Sequence, residues 1–535
     1  MNVVNTQSRP GALSKALRYL IPVLLHLAAV RALWPYMKYY VDGDALCYLN
    51  IVQRYLAGDY THAINAFWSP MGCWLTALTV KCTGWELFTA AITVNAASTA
   101  ALIFSSQCLF NRFRTAAWEQ WCFGIMSSLF WAYAVYFQSF TDFWQYFLLT
   151  VGVWVLLQEQ LTRKWYLWVL LGVLAALAYF SKAYSFFFFP FIIFAGAGIR
   201  LLEAPVFNWK RLVLVCAVAG GVMLLIAAPW IMLLHEKYGF WTTSTAGKLN
   251  STWWLVGTQE LRPDIKAVVP PPYEGSLFYF EDPYLVQGPI RHFYDSPRLF
   301  LKQLLRIAYN GLGWVSTGNR ISPFFFLTWL VTLLLFFRKD LRRAAGPGLR
   351  LITVVYLVYP LPFWLFTFEG GRYTWFVMPI GAILSLIYAE KALFPRIGRW
   401  PSRIFVAVFF LCHLVTPVTD MRKMLHQGAA EYKLAGELKR LNIRGSFISN
   451  RSYADAFLSL AQISWFAQCP WYCHTLNNFS TQELLADARR YGVKYYFYFY
   501  EGTGDDYQLT GPGGQPLPEV TQGSVKGLKV FLLQP

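Results

Sequence analysis

Two aspartates one residue apart, Asp42 and Asp44, stand in the stretch YVDGDALCY, bracketed by Tyr40 and Tyr48. A partly desolvated carboxylate can take a proton from a hydroxyl as a general base, or ligate a hard cation through oxygen. Most Asp-x-Asp pairs are solvated loop acids around a glycine turn. This pair is set apart by position, because it follows the apolar run Tyr19–Trp34 and precedes an aromatic, amphipathic stretch. Two cations also stand out. Lys182 and Arg372 interrupt short segments between apolar runs that otherwise lack basic residues. A lone lysine at the end of an apolar run usually snorkels to the interface. Arg31 lies inside the first apolar run, where a charge either reaches the interface or faces a site.

The elements that would hold these residues are membrane-spanning helices. The 535 residues are 56% hydrophobic, 19% aromatic and only 14% charged, against about 25% charged in a soluble chain. The net charge of +18 is spread as short Lys/Arg clusters between apolar runs, which argues for a polytopic membrane protein and against nucleic-acid binding. Runs of about 20 apolar residues predict eleven spans, near 16–34, 85–110, 117–139, 143–160, 165–181, 183–200, 212–234, 320–337, 350–368, 374–391 and 404–419. With the N-terminus in the cytoplasm, the inside segments carry nineteen Lys and Arg and the three short outside loops only Lys182 and Arg372. The positive-inside rule then places the C-terminus outside. The first apolar run lacks a small-residue cleavage site and reads as an uncleaved anchor. The nine scattered cysteines form no disulfide framework.

The expected division is a transmembrane domain, 1–419, and an outer α/β domain, 420–535. Within the first, the outer loop 35–84 holds two interfacial helices, YLNIVQRYLAG and WSPMGCWLTALTVKCTG. The large outer loop 235–319 is polar and proline-rich, with a third amphipathic segment, SPRLFLKQLLRIAYNGLGW; a loop this long is usually functional. In the tail, helix-like and strand-like runs alternate and predict a small α/β domain with a largely parallel sheet.

The stretch DGDALCYLNIVQRYLAGD, then FWSPMGCWLTAL, then a span ending in NRF, resembles the first outer loop of the GT-C integral membrane glycosyltransferases. The resemblance is nearest to the aminoarabinose transferase and protein O-mannosyltransferase family (family 39-like). Asp44 lies four residues before Tyr48, and Pro70 opens the second interfacial helix, as in that family. FTDFW puts Asp142 at the start of a span, and LAYFSKAYSFFFFP resembles the family's span-Lys-span hairpin, with Lys182. APWIMLLHEKYGF resembles its Pro-Trp motif before the large loop. FEGGRYTWFVMPI resembles its Arg-Tyr motif at a late span, with Arg372 and Tyr373. In one respect the chain departs from the family: Ala45 stands where a second acid often follows the first, and Asp42 is the substitute. The matches cover residues 15–395.

The resemblance implies an inverting transfer of a sugar from a polyprenyl-phosphate donor to an acceptor hydroxyl on a lipid, glycan or protein, at the outer face of a bacterial inner (plasma) membrane. Asp44 would be the general base, Asp42 a second acid, and Lys182 and Arg372 the cradle for the donor phosphate, one as a point charge and one with bidentate geometry. The loop 235–319 would cover the acceptor. Tyr48, Asp142, Tyr373 and Arg31 are further candidates. A divalent cation stays open, while Cys469, Cys473 and His474 lack a fourth ligand and read as strand. The alternative is a transporter or flippase of lipid-linked sugars, but that reading calls for mid-membrane charge or repeated halves, and the charged residues here cluster at one face.

Overall fold

The computed structural model describes residues 12–137, 141–203, 206–256, 268–286, 290–322, 324–338, 346–366, 371–474, 480–502, 506–511 and 514–534. The helices are α1 (Ala12–Met37), α2 (Gly43–Ala57), α3 (Met71–Thr83), α4 (Leu87–Phe113), α5 (Ala117–Phe137), α6 (Asp142–Leu156), α7 (Trp165–Ser181), α8 (Ser185–Leu201), α9 (Trp209–Tyr238), α10 (Ala246–Leu255), α11 (Pro297–Ile321), α12 (Phe324–Phe337), α13 (Pro347–Val358), α14 (Met378–Ala392) and α15 (Arg399–Cys412). Among the described residues, each apolar run predicted as a span is mainly helical. Among the described residues, six helical stretches are long and apolar enough to cross a membrane: Leu13–Met37, Leu87–Phe113, Trp209–Tyr238, Pro347–Leu365, Gly371–Ala392 and Arg399–Arg440. The apolar helices α6, α7, α8 and α12 are shorter.

Both stretches expected to be interfacial helices are helical, as α2 and α3. Asp42 caps α2, its Oδ1 accepting the Ala45 N–H at 2.7 Å, and Gly58 closes the helix in the left-handed conformation at φ 79°. Helix α11 is amphipathic with its sides reversed relative to a soluble helix. Leu301, Leu304, Leu305, Tyr309 and Leu312 are exposed. Its polar side chains point inward instead: Lys302 donates to the Leu255 carbonyl, Gln303 to Leu365 and Asn310 to Trp364, and Arg306 stacks on Trp254.

The tail adds α16 (Val415–Met424), α17 (Ala429–Arg440), α18 (Tyr453–Ala467) and α19 (Thr481–Arg490), with strands β2 (Phe447–Ser449), β3 (Cys473–His474), β4 (Tyr495–Phe499) and β5 (Leu528–Leu532). The motif S-T-Q-E starts α19 with a reciprocal capping box between Ser480 and Glu483. The order is β2-β4-β5, with β2 parallel and β5 antiparallel to β4. The expected largely parallel sheet is therefore mixed. Helices α18 and α19 lie between β2 and β4, as a parallel crossover needs, whereas among the described residues between β4 and β5 there is none and the chain returns antiparallel. Alternation along the strands splits the two faces. Phe447, Phe497 and Val530 join the core shared with the membrane helices, while Ile448, Tyr496 and Phe531 pack on Leu484, Leu485 and Ala488 of α19. Strand β3 does not enter this ladder; it pairs antiparallel with β1 (Val268–Val269) from the large outer loop. One apolar core thus runs from Val30 of α1 to Val530 of β5.

Candidate active site

Four charged side chains from four segments meet beside the N-terminus of α2. Asp44 Oδ2 is 2.8 Å from Arg372 Nη2, and Arg372 Nε is 3.9 Å from Asp142 Oδ2. Lys182 Nζ donates to the other oxygen of Asp142, Oδ1. The run is Asp44, Arg372, Asp142, Lys182, alternating in sign. Helix ends favour it. Both aspartates lie in the first turn of a helix, α2 and α6, where the dipole suits an anion, and Lys182 caps the C-terminus of α7, where it suits a cation. Asp142 is sealed, with 2% of its side chain exposed, whereas Asp44 is 24% exposed and Lys182 25%. The interior of the run is dry at Asp142, and its two ends, Asp44 and Lys182, are partly exposed.

Aromatic side chains floor the cations. The Tyr373 ring lies 5.2 Å from Lys182 Nζ and 5.3 Å from Arg372 Cζ, which permits cation–π attraction to both. Tyr373 stacks on Phe363, and Phe363 on Tyr184, with centroids 4.7 and 4.5 Å apart. The Tyr146 hydroxyl donates to the Arg372 carbonyl at 2.7 Å, fixing the backbone that carries the guanidinium. Tyr146 is four residues after Asp142, one helical turn along the same face, so spacing alone could have singled it out. Tyr48 is likewise one turn beyond Asp44. Its hydroxyl accepts from Thr141 Oγ1 at 3.1 Å, next in chain to Asp142, and burial pushes that phenol well above its usual range.

The sequence-selected residues Asp44, Arg372, Asp142, Lys182, Tyr48 and Tyr373 are thereby brought together. Asp42 sits two residues from Asp44 as the cap of α2. Burial, with the charge of Asp44 beside it, pushes its carboxyl up to about 7. Arg31 is not drawn into the cluster: its side chain is exposed on α1, while its neighbour Val30 turns inward, as adjacent helical positions must diverge. Glu369, next to the Arg372 motif, lies outside the described residues. Among the described residues no group of three or more His, Cys, Asp or Glu side chains could hold a metal ion. His474 instead approaches the Ser449 carbonyl at 3.0 Å, and Cys469 faces the Ile443 carbonyl.

Residues 273–282 close on the same helix α2. Asn50 Nδ2 donates to Glu281 Oε1 at 3.0 Å, and the Leu277 N–H donates to that same oxygen. The Tyr273 hydroxyl donates to Oε2 at 3.0 Å. Asn65 and Trp68 donate to the carbonyls of Glu281 and Phe280. Asp282 pairs with Lys237 at 3.0 Å and accepts from the Tyr238 hydroxyl. Burial pushes the Glu281 carboxyl up to about 7. Neither Glu281 nor Asp282 was singled out from the sequence, because both lie in a proline-rich segment without periodicity.

No family model and no curated protein matches the chain by sequence. Solved structures do match it in fold. ArnT from Cupriavidus metallidurans bound to undecaprenyl phosphate aligns with a TM-score of 0.52 at 12% identity, over 98% of this chain and 99% of that one. The apo oligosaccharyltransferase of Archaeoglobus fulgidus aligns with a TM-score of 0.52 at 12% identity, over 90% of this chain and 69% of that one. The archaeal oligosaccharyltransferase AglB from the same organism, in complex with an inhibitory peptide and a dolichol-phosphate, aligns at 0.51 and 13% identity. The chain shares its fold with ArnT and with the archaeal oligosaccharyltransferase. With its apolar helices, the chain is an integral membrane protein.

Proposed function

We propose that the chain transfers a sugar, hexosyl or pentosyl, from a polyprenyl-phosphate-linked donor to an acceptor hydroxyl at the outer face of the membrane. The observation that carries the reading is the Asp44–Arg372–Asp142–Lys182 run, which sets a partly exposed carboxylate beside two cations at the ends of apolar helices. The bound undecaprenyl phosphate and dolichol-phosphate of the fold neighbours support the donor class, and the inhibitory peptide of one supports an acceptor held nearby.

The acceptor oxygen attacks the anomeric carbon from the side opposite the phosphate. Its proton passes to Asp44 as the bond forms, and the carbon–oxygen bond to phosphate breaks with its electron pair remaining on the leaving phosphate. The configuration inverts. Arg372 and Lys182 stabilise the negative charge that grows on the leaving group. Both are already engaged by carboxylates, so an incoming phosphate competes with Asp44 for the guanidinium. When it succeeds, Asp44 is released from its ion pair and is free to meet the acceptor hydroxyl. Asp142 stays as the tether between the two cations, and Asp42 shapes the turn as the cap of α2.

The charge bias of the loops supports an N-terminus in the cytoplasm and a site, large loop and tail on the outer side of a bacterial inner membrane. It also supports an odd number of spans, eleven on the sequence reading, with residues 1–419 as the membrane domain and 420–535 as an outer α/β domain. The test is reconstitution of the full chain in proteoliposomes with polyprenyl-phosphate-linked sugars and hydroxyl acceptors. Sugar transfer with inversion at the anomeric carbon, read by NMR, is expected. Movement of intact lipid-linked sugar between leaflets without transfer would replace this reading with transport.

A further inference from the structure

The segment Tyr36–Gly43, which delivers Asp42 and Asp44 to the site, is gripped along its length by the tail. The His426 N–H donates to the Tyr36 carbonyl at 2.9 Å. The Tyr39 ring stacks on Tyr432 of α17 at 4.4 Å. Gly428, at φ 81°, comes so close to the Tyr39 carbonyl that a Cβ there would collide with its oxygen. Gln462 of α18, buried, donates from Nε2 to the Val41 carbonyl at 2.7 Å. The Phe457 ring closes on Gly43 itself, where an added Cβ would lie 2.5 Å from Phe457 Cε1. Phe457 stands just past a break in α18 at Ala456, whose φ and ψ are −145° and 28°. It is backed by the rings of Phe280 and Trp471, at 6.0 and 6.1 Å.

These contacts come from the 425–428 turn, α17 and α18 of the tail and converge on the eight residues before Asp44. Asp44 reaches Arg372 only if the turn at Val41–Gly43 holds its place, because the aspartate lies in the first turn of α2 and moves with it. We propose that the tail is a positioning element for the aspartate turn, acting through Phe457 against Gly43 and Gln462 on Val41. The tail would set where the general base stands without touching the reacting atoms. This rests on the sugar-transfer reading above.

The test uses the full chain in proteoliposomes, with wild type and Asp44→Asn as controls. Gly43→Ala should lower kcat by about tenfold, since displacing a reacting group by ~1 Å can cost up to ~100-fold. Its KM for the donor should stay near the wild-type value, because Arg372 and Lys182 are untouched. Gly43→Ala combined with Phe457→Leu, which removes the ring edge facing the new methyl, should recover most of the lost kcat. Losses that multiply in the double variant would overturn the proposal. Gln462→Ala supplies a readout independent of activity and of the glycine variants: amide exchange over residues 41–47 should quicken while that of α9 does not change. Unchanged exchange at 41–47 would also overturn it. If wild type transfers no sugar, the proposed function fails, and the exchange experiment still decides whether the tail holds the turn.

Discussion

Helix α2 serves two buried carboxylate clusters that differ in kind. Toward its middle, Asn50 meets Glu281, a side chain with both oxygens taken up by donors and no exposure. At its start, Asp44 has a cation on one oxygen and a quarter of its side chain open. The Glu281 cluster pins a loop, and nothing could approach that carboxylate without breaking the pin. The Asp44 cluster is held by ion pairs that a phosphate can displace. Burial and a perturbed carboxyl do not separate a reactive carboxylate from a structural one. Access, and a partner that can be exchanged, do.

Four variants would break or sharpen that contrast. Asp44→Asn should fold, because the ion pair is partly exposed and Asn is isosteric. It should lower the rate of sugar transfer by roughly 10²–10⁴, about 3–5 kcal/mol, the usual loss of a general base. Single-turnover assays on reconstituted protein would measure it, and a rate within about threefold of wild type would remove Asp44 from the chemistry. Arg372→Gln should weaken donor use by about 1.5–3 kcal/mol, the range for a hydrogen bond to a charged group, with acceptor KM little changed. Lys182→Gln should act in the same direction. Equal effects on donor and acceptor would contradict the phosphate assignment.

The smallest effect belongs to the sealed cluster. Glu281→Gln should leave kcat near wild type and change stability by within about 1 kcal/mol, because an amide can keep most of the same partners. Its signature is in pH. Burial lifts the folded Glu281 carboxyl from 4.5 to about 7, so the proton it binds favours the folded state. Its contribution is complete below pH 4.5 and is lost as pH rises toward 7. Thermal unfolding from pH 4.5 to 7 should therefore show a downward slope in wild type that is shallower in Glu281→Gln. Equal slopes would mean that Glu281 is not the group responsible.

The sequence made the ionic cluster legible and the sealed one not, for physical reasons. Lys182 and Arg372 are 190 positions apart, yet both stood out because basic residues are otherwise missing from the short outer loops. Asp142 stood out as the first residue of an apolar run. Tyr146 was overlooked although it shares a helical face with Asp142. Glu281 had no such background to contrast with. The helices of the tail were visible as periodic runs, but the direction of β5 depends on a connection whose Gly and Pro residues fix turns rather than a path. The grip of Phe457 on Gly43 joins positions more than 400 apart in the chain, and no local pattern encodes it.

Helix α11 has a consequence of its own. Its exposed leucines find a solvent only in hydrocarbon, while Arg306, Lys302 and Gln303 bolt its other side to α10 and to the end of the 361–365 helix. Lifting it into water would cost about 25 cal/mol for every Å² of apolar surface exposed. Helix α11 thus joins a face suited to hydrocarbon to two helices on its inward side, so the apolar face and those two helices move as one body.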